Sequence, residues 1–409
     1  MTFWQLTIHT LLFGLLFWFG LYLITRDAKQ IVTWTMEGAL ILMATAVALS
    51  VLNQYAYTGQ LALQLLRAEQ LMIVLAAFLA LLTLILLAPG YDVWAKRIQA
   101  QKNQMILAWV GFIALAFSVT FLIFSGGLTP TTGQLLALGI SMMVLATAVS
   151  MILASDLGEA WLPHIFRSFD YSFFTAVLFG GQVALIMAFA VGVTFPMLLL
   201  LLGTVAAAIL VQVFSTPVQT AVDQIAFFRF PSIRQKRSEL RAESEAAQRV
   251  DSSLNVLQMS EETFTKHTRR ALSQMGNLPK LAANPLTNLP LVRSRIGENG
   301  RSESTLVRAT ELKIILMESI EHLKPPGEET FGTTDAWRHY NALYFPYVQG
   351  LRPYSRRYFY EANGDGDKTT KEAPDWFRSQ VPERTLYNWQ NAAAELVARD
   401  LRERSRVAV

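Results

Sequence analysis

Long runs without a charged residue dominate the first half of the chain, and apolar positions at helical spacing dominate the second. Tyr171 to Val222 contains no Asp, Glu, Lys, Arg or His. About 20 apolar residues cover the ~30 Å hydrocarbon core of a bilayer, so this run is two spans, split at Gly192-Val193-Thr194-Phe195-Pro196. Asn103 to Ser155 repeats the pattern, broken by the turn residues between Ser125 and Pro130. Hydropathy over a helix length predicts seven spans, at 3–25, 33–53, 70–90, 106–126, 132–154, 171–193 and 196–216.

After the seventh span the pattern changes. Val218 to Phe230 is amphipathic, carries Phe227, Phe228 and Phe230, and leads to Arg234, Lys236 and Arg237, a composition suited to an anionic leaflet. A charged helix is predicted over 238–273. Its heptad seam places Leu240, Ala247 and Leu254 at one position and Val250, Leu257 and Phe264 at the other, with Glu243 and Glu261 as defects. Such a helix either pairs with a second copy to make a homodimer or packs on its own domain. Leu306, Ala309, Leu312, Ile315, Leu316, Ile320 and Leu323 then mark a core face between Ser304 and Leu323, ended by Pro325-Pro326-Gly327. Trp337 to Leu351 reads as a further helix. The last helix opens at Pro382 and buries Leu386, Trp389, Ala393, Leu396, Val397 and Leu401. The fold class is therefore all-α: a seven-helix transmembrane domain (1–216), an amphipathic and charged connector (217–273) and a helical domain (274–409).

Charge placement orients the bundle. Arg26, Lys29, Lys96, Arg97, Lys102 and Arg167 share one side with the basic start of the tail, and only Arg67 lies on the other. The positive-inside rule then puts the N-terminus outside and the C-terminal half in the cytoplasm. The 409 residues carry a net charge of +4, all of it in the second half. Cysteine is absent, which excludes disulfides, thiolate metal sites and Cys nucleophiles. No HExxH, Walker A or GxSxG motif is present, so no catalytic residue, metal ligand or cofactor is expected. Asn363 to Asp367 imitates the start of a calcium loop, but Lys368 stands where that loop needs Gly.

Ionisable groups in apolar spans are costly and invite a functional reading. His9, Tyr55, Tyr57 and Arg67 cluster toward the outer ends of the first three spans, with Arg67 and Glu69 at the entrance to the third. They are read either as an outward-facing pocket for a small ligand or as interfacial anchors. In the last helix, Arg384, Tyr387, Asn388 and Asn391 lie opposite the buried face of its first turns, the place from which a recognition helix offers Arg to guanine and Asn to adenine. Arg356 and Arg357, in a Tyr-rich stretch, are candidate phosphate contacts.

Two resemblances bear on these readings. The spans, with the junction Gly20-Leu21-Tyr22-Leu23-Ile24-Thr25-Arg26-Asp27, resemble the seven-helix sensor region of some bacterial histidine kinases. That implies a sensor or anchor in a bacterial cytoplasmic membrane. His267, however, is followed by Thr268-Arg269-Arg270 rather than by the acidic residue, Leu-Arg and Pro of a phospho-acceptor, so the chain is not a kinase and His267 is expected to be solvated. The segments Leu281 to Leu286, Leu316 to Pro325, Arg338 to Leu343, Tyr347 to Gly350 and Glu383 to Tyr387 resemble an all-helical bacterial module ending in a helix-turn-helix similar to the DNA-reading region of sigma factors. The family's small turn residue is replaced by Ser379-Gln380-Val381-Pro382, and Tyr354 to Pro374 is inserted. The combined expectation is a membrane-tethered regulator of transcription that binds duplex DNA or a regulatory partner. The alternatives are a structural or accessory protein that oligomerises through its bundle and docks proteins with its tail, and a transporter or channel.

Overall fold

The computed structural model describes residues 2–26, 31–87, 102–124, 130–157, 161–249, 256–298, 304–327, 331–351, 354 and 368–407. No strand occurs among them. The chain divides into two compact units, one made of Met1–Asp156 and Trp161–Arg234, the other principally of Gln235–Val409.

The first unit holds α1 (Phe3–Arg26), α2 (Ile31–Asn53), α3 (Gly59–Leu87), α4 (Lys102–Phe124), α5 (Thr132–Leu157), α6 (Trp161–Ile186) and α7 (Phe195–Val213). Each contains a segment long and apolar enough to cross a membrane. Two begin well before the hydropathy pattern suggests. Because α3 starts at Gly59, Arg67 and Glu69 lie more than two turns inside it rather than at its entrance. Likewise α6 starts at Trp161, so Arg167 is helical.

Close approach of helices is set by small residues, as expected where lipid removes the hydrophobic drive to pack. A Cβ on Gly111 of α4 would stand 2.9 Å from the backbone nitrogen of Leu145 on α5, and one on Gly20 of α1 would stand 2.8 Å from Ile41 on α2. Hydroxyls cross-link the interior: Thr83 donates to Thr35 (2.8 Å), Gln212 to Thr175 (2.9 Å) and the Trp18 indole to Ser168 (3.2 Å). The outer faces remain apolar, as Trp109, Ile113, Phe117 and Phe121 on α4 and Phe174, Leu178 and Leu185 on α6 show. Only hydrocarbon solvates such a surface at low cost. The α6–α7 turn is as the residues suggest: α6 ends in a π turn over Met187–Val191, Gly192 takes φ +77° with its N–H on the Met187 carbonyl, and Pro196 enters α7 in its first turn.

α7 is followed by α8 (Ser215–Ala226), which leaves Val222, Ile225 and, just beyond it, Phe228 and Phe230 exposed. α9 (Pro231–Arg249) carries the basic cluster. The single helix expected over 238–273 is not formed. Val256–Gln258 is a 3-10 turn, and α10 (Glu261–Gln274) starts afresh with Ser260 Oγ accepting from the Thr263 N–H at 3.2 Å. Phe264, 1% exposed, turns into the core of its own domain and Leu257 packs beside it, so these two seam positions face inward. His267 is a further correction: it is 3% exposed, with its carbonyl accepting from Asn284 Nδ2, because Phe264, His267, Thr268 and Ala271 share the buried face.

The second unit continues with α11 (Leu278–Ala282), α12 (Pro290–Glu298), α13 (Thr305–Glu321), α14 (Arg338–Leu343), α15 (Lys368–Gln380) and α16 (Glu383–Val407). Leu312, Ile315, Leu316 and Ile320 of α13 meet Ala393, Val397 and Leu401 of α16 and Leu272 of α10 in the main core. A smaller core of Phe345, Phe377, Val381 and Leu386, with Trp376 stacked on Trp389 at 6.1 Å, holds α15 to the start of α16.

Candidate functional site

The α15–α16 link is Val381-Pro382. Val381 is buried, its N–H donates to the Phe377 carbonyl, and its own carbonyl accepts from the Tyr354 hydroxyl at 2.6 Å. Pro382 then accepts from Leu386 N–H at 3.0 Å and so starts α16. No non-glycine residue described has a positive φ, so the link turns without a left-handed residue.

With Leu386 anchored inward, Arg384, Tyr387 and Asn388 point outward and are exposed. Arg269 of α10 lies over the Tyr387 ring, its Cζ 4.6 Å from the centroid. The hydrogen bond and charge of Arg269, with a smaller contribution from Asn391, pull the Tyr387 phenol below its ordinary pKa. Asn391 is half-buried, and its Oδ1 has no hydrogen-bond partner. Burial pushes the neighbouring Tyr347 phenol up, and the Arg269 charge opposes that rise. The result is a polar patch of two guanidinium groups, two amides and a phenol on a helix start. It offers donors in fork geometry to phosphate or base edges. Arg356 and Arg357 lie outside the described residues. Arg269 escaped the sequence reading because it belongs to a helix far away in the chain; the only local signal is its place beside Arg270 on an amphipathic helix.

At the other end of α16, Glu318 of α13 bridges Arg295 (2.7 Å) and Arg404 (2.8 Å). Burial would raise the Glu318 carboxyl, but hydrogen bonds and charge from the two arginines outweigh it and hold it below the ordinary value. Ser319, Asp400 and His322 meet here too, without the order of a nucleophilic triad. The Ser319 hydroxyl donates to Asp400 Oδ2 at 2.6 Å, and His322 Nδ1 lies 3.6 Å from the other oxygen of the same carboxylate, so the imidazole is not set to take the serine proton.

In the membrane unit the four expected ligand residues are dispersed in character. His9 is 2% exposed, with Nδ1 on the Gln5 carbonyl at 2.7 Å. Tyr55 packs half-buried on the core, Tyr57 is exposed with its ring 5.0 Å from that of Phe195, and Arg67 is exposed on α3. Glu69 is 1% exposed, hydrogen-bonded to Ser50 through its side chain. A cavity of about 450 Å³ does occur in this unit, between α1, α6 and α7, and none of the four lines it.

Comparison with protein-family models, curated proteins and solved structures finds no match to this chain.

Proposed function

We propose that this protein is a membrane-tethered regulator, anchored by seven spans with its N-terminus outside, whose C-terminal helical domain binds duplex DNA from the cytoplasm. The observation that carries the reading is the α16 start: Arg384, Tyr387 and Asn388 stand outward, backed by a core that fixes Leu386, with Arg269 alongside. In this reading Arg269 and Arg384 neutralise phosphates or reach guanine, Asn388 and Asn391 read adenine, and α15 braces the backbone.

The test is fluorescence anisotropy of labelled duplex DNA with the full chain in nanodiscs of zwitterionic lipid. Affinity that falls as salt rises, because neutralised phosphates release counterions, and that drops in Arg384→Ala/Asn388→Ala supports the reading. Absence of binding by folded protein sinks it. A second reading, docking of a protein partner on the same face, is favoured by Tyr387, a half-exposed aromatic with a polar tip of the kind that anchors interfaces.

A further inference from the structure

Most hydroxyls in the spanning helices bond back to a carbonyl one turn earlier: Thr7, Thr10, Thr45, Thr120, Thr147 and Thr175 all do so at 2.7–3.0 Å. Ser172 of α6 does not. It is 2% exposed, its Oγ has no hydrogen-bond partner, and it lines the cavity between α1, α6 and α7. An unpaired buried hydroxyl in apolar surroundings is costly, and a turn of the Ser172 side chain toward an acceptor atom held in the cavity would relieve that cost.

The cavity is otherwise almost wholly apolar, and its α6 wall carries the small residues Ala176, Gly180, Gly181 and Ala184 between the larger Phe169, Phe173 and Val177. From Ser172 to Ala184 that wall rises about 18 Å. A volume of about 450 Å³ along such a length leaves a mean bore of about 25 Å², the width of one hydrocarbon chain. Trp18 closes one end, its ring edge-on to Phe169 at 5.1 Å and its indole N–H on Ser168. The rim residues Leu11, Phe173 and Val177 are 48%, 40% and 51% exposed, so the groove opens sideways onto the surface that faces hydrocarbon.

We infer that this groove is a binding site for a single fatty-acyl chain of a membrane lipid, whose ester carbonyl accepts a hydrogen bond from Ser172 Oγ while the chain runs along Ala176, Gly180 and Ala184. The occupant is matched by bore, by length and by one polar handle at one end. The site is independent of the DNA reading, and it supplies the bundle with a ligand of defined chemistry.

The test uses the full chain in phosphatidylcholine nanodiscs doped with phosphatidylcholine bearing a diazirine on its acyl chain, with photolabelled positions mapped by mass spectrometry. Labelling is expected to concentrate on α6 between Ser172 and Ala184 and on α1, several-fold above that on the exposed Phe117–Phe124 face of α4. Gly181→Trp fills the groove from a position where an added Cβ meets nothing within 4 Å, and should abolish the excess while leaving α4 labelling unchanged. Ser172→Ala should lower the excess about fivefold, the loss of one hydrogen bond. Gly14→Leu, whose Cβ makes only ordinary contacts with Val205 and Ile209, blocks the groove from the α1 side and serves if the tryptophan variant misfolds. Labelling spread evenly over all lipid-facing helices, or an excess that survives both blocking variants, overturns the site. An excess unchanged in Ser172→Ala overturns the carbonyl assignment.

Discussion

Arg269 on α10 and Tyr387 on α16 form a cation–π pair, the guanidinium carbon 4.6 Å from the ring centroid. The pair joins two helices that the chain separates widely, and it places a second cation beside the Arg384 face. A guanidinium stabilises phenolate over phenol, so Tyr387 ionises below the ordinary value of 10.0. Ultraviolet titration of the wild type against Tyr387→Phe should show a phenol lost from the early part of the alkaline transition. In an Arg269→Ala background that same phenol should titrate later. On the proposed DNA-binding reading, loss of Arg269 should also weaken binding to duplex DNA and reduce its salt slope by about one.

Glu318 is the pH-sensitive tie of the second unit. Its folded pKa is held below the ordinary 4.5, so its stabilisation is fully present above that value and is lost as pH falls through the depressed folded value. With 35% of the side chain exposed, solvent screening limits the contribution to about 1 kcal/mol. Glu318→Gln should lower stability by about that amount at pH 7 and flatten the acid limb of the unfolding profile, measured by denaturant titration at a series of pH values.

Ser260 marks the start of α10 by accepting from Thr263 N–H. Ser260→Ala leaves that N–H without its cap and should destabilise the second unit by about 1 kcal/mol, read as a lower denaturation midpoint. Ser260→Asp restores an acceptor and should recover it.

Gly111 sets the α4–α5 spacing. A Cβ there lies 2.9 Å from backbone nitrogen of Leu145, which no rotamer change can relieve. Gly111→Val should force the two helices apart, costing about 1–3 kcal/mol by overpacking, and lower the thermal midpoint in detergent. The same change at Gly133, where an added Cβ meets nothing within 4 Å, should be silent by comparison.

The seven apolar spans, the Gly192–Pro196 turn, the core face of α13 and the buried stripe of α16 were all legible in the residues, because hydropathy and helical period are properties of neighbours along the chain. So was the place of Arg384, Tyr387 and Asn388 opposite Leu386. The misread features depended on contacts made elsewhere. A charged run over 238–273 has helical composition throughout; the local sign of a new start is the Ser260 cap ahead of Glu261 and Glu262, and the docking of Phe264 and Leu257 into the α13–α16 core fixes the direction in which that new helix runs. His267 could have been placed by its spacing from Phe264 and Ala271, since residues three and four apart share a face. Arg269 over Tyr387, the bridge from Glu318 to Arg295 and Arg404, and the groove below Ser172 had no local signature. Each joins segments distant in sequence, and which partners meet is decided by how whole helices pack, since short-range periodicity tells which face turns inward but not what it will find there.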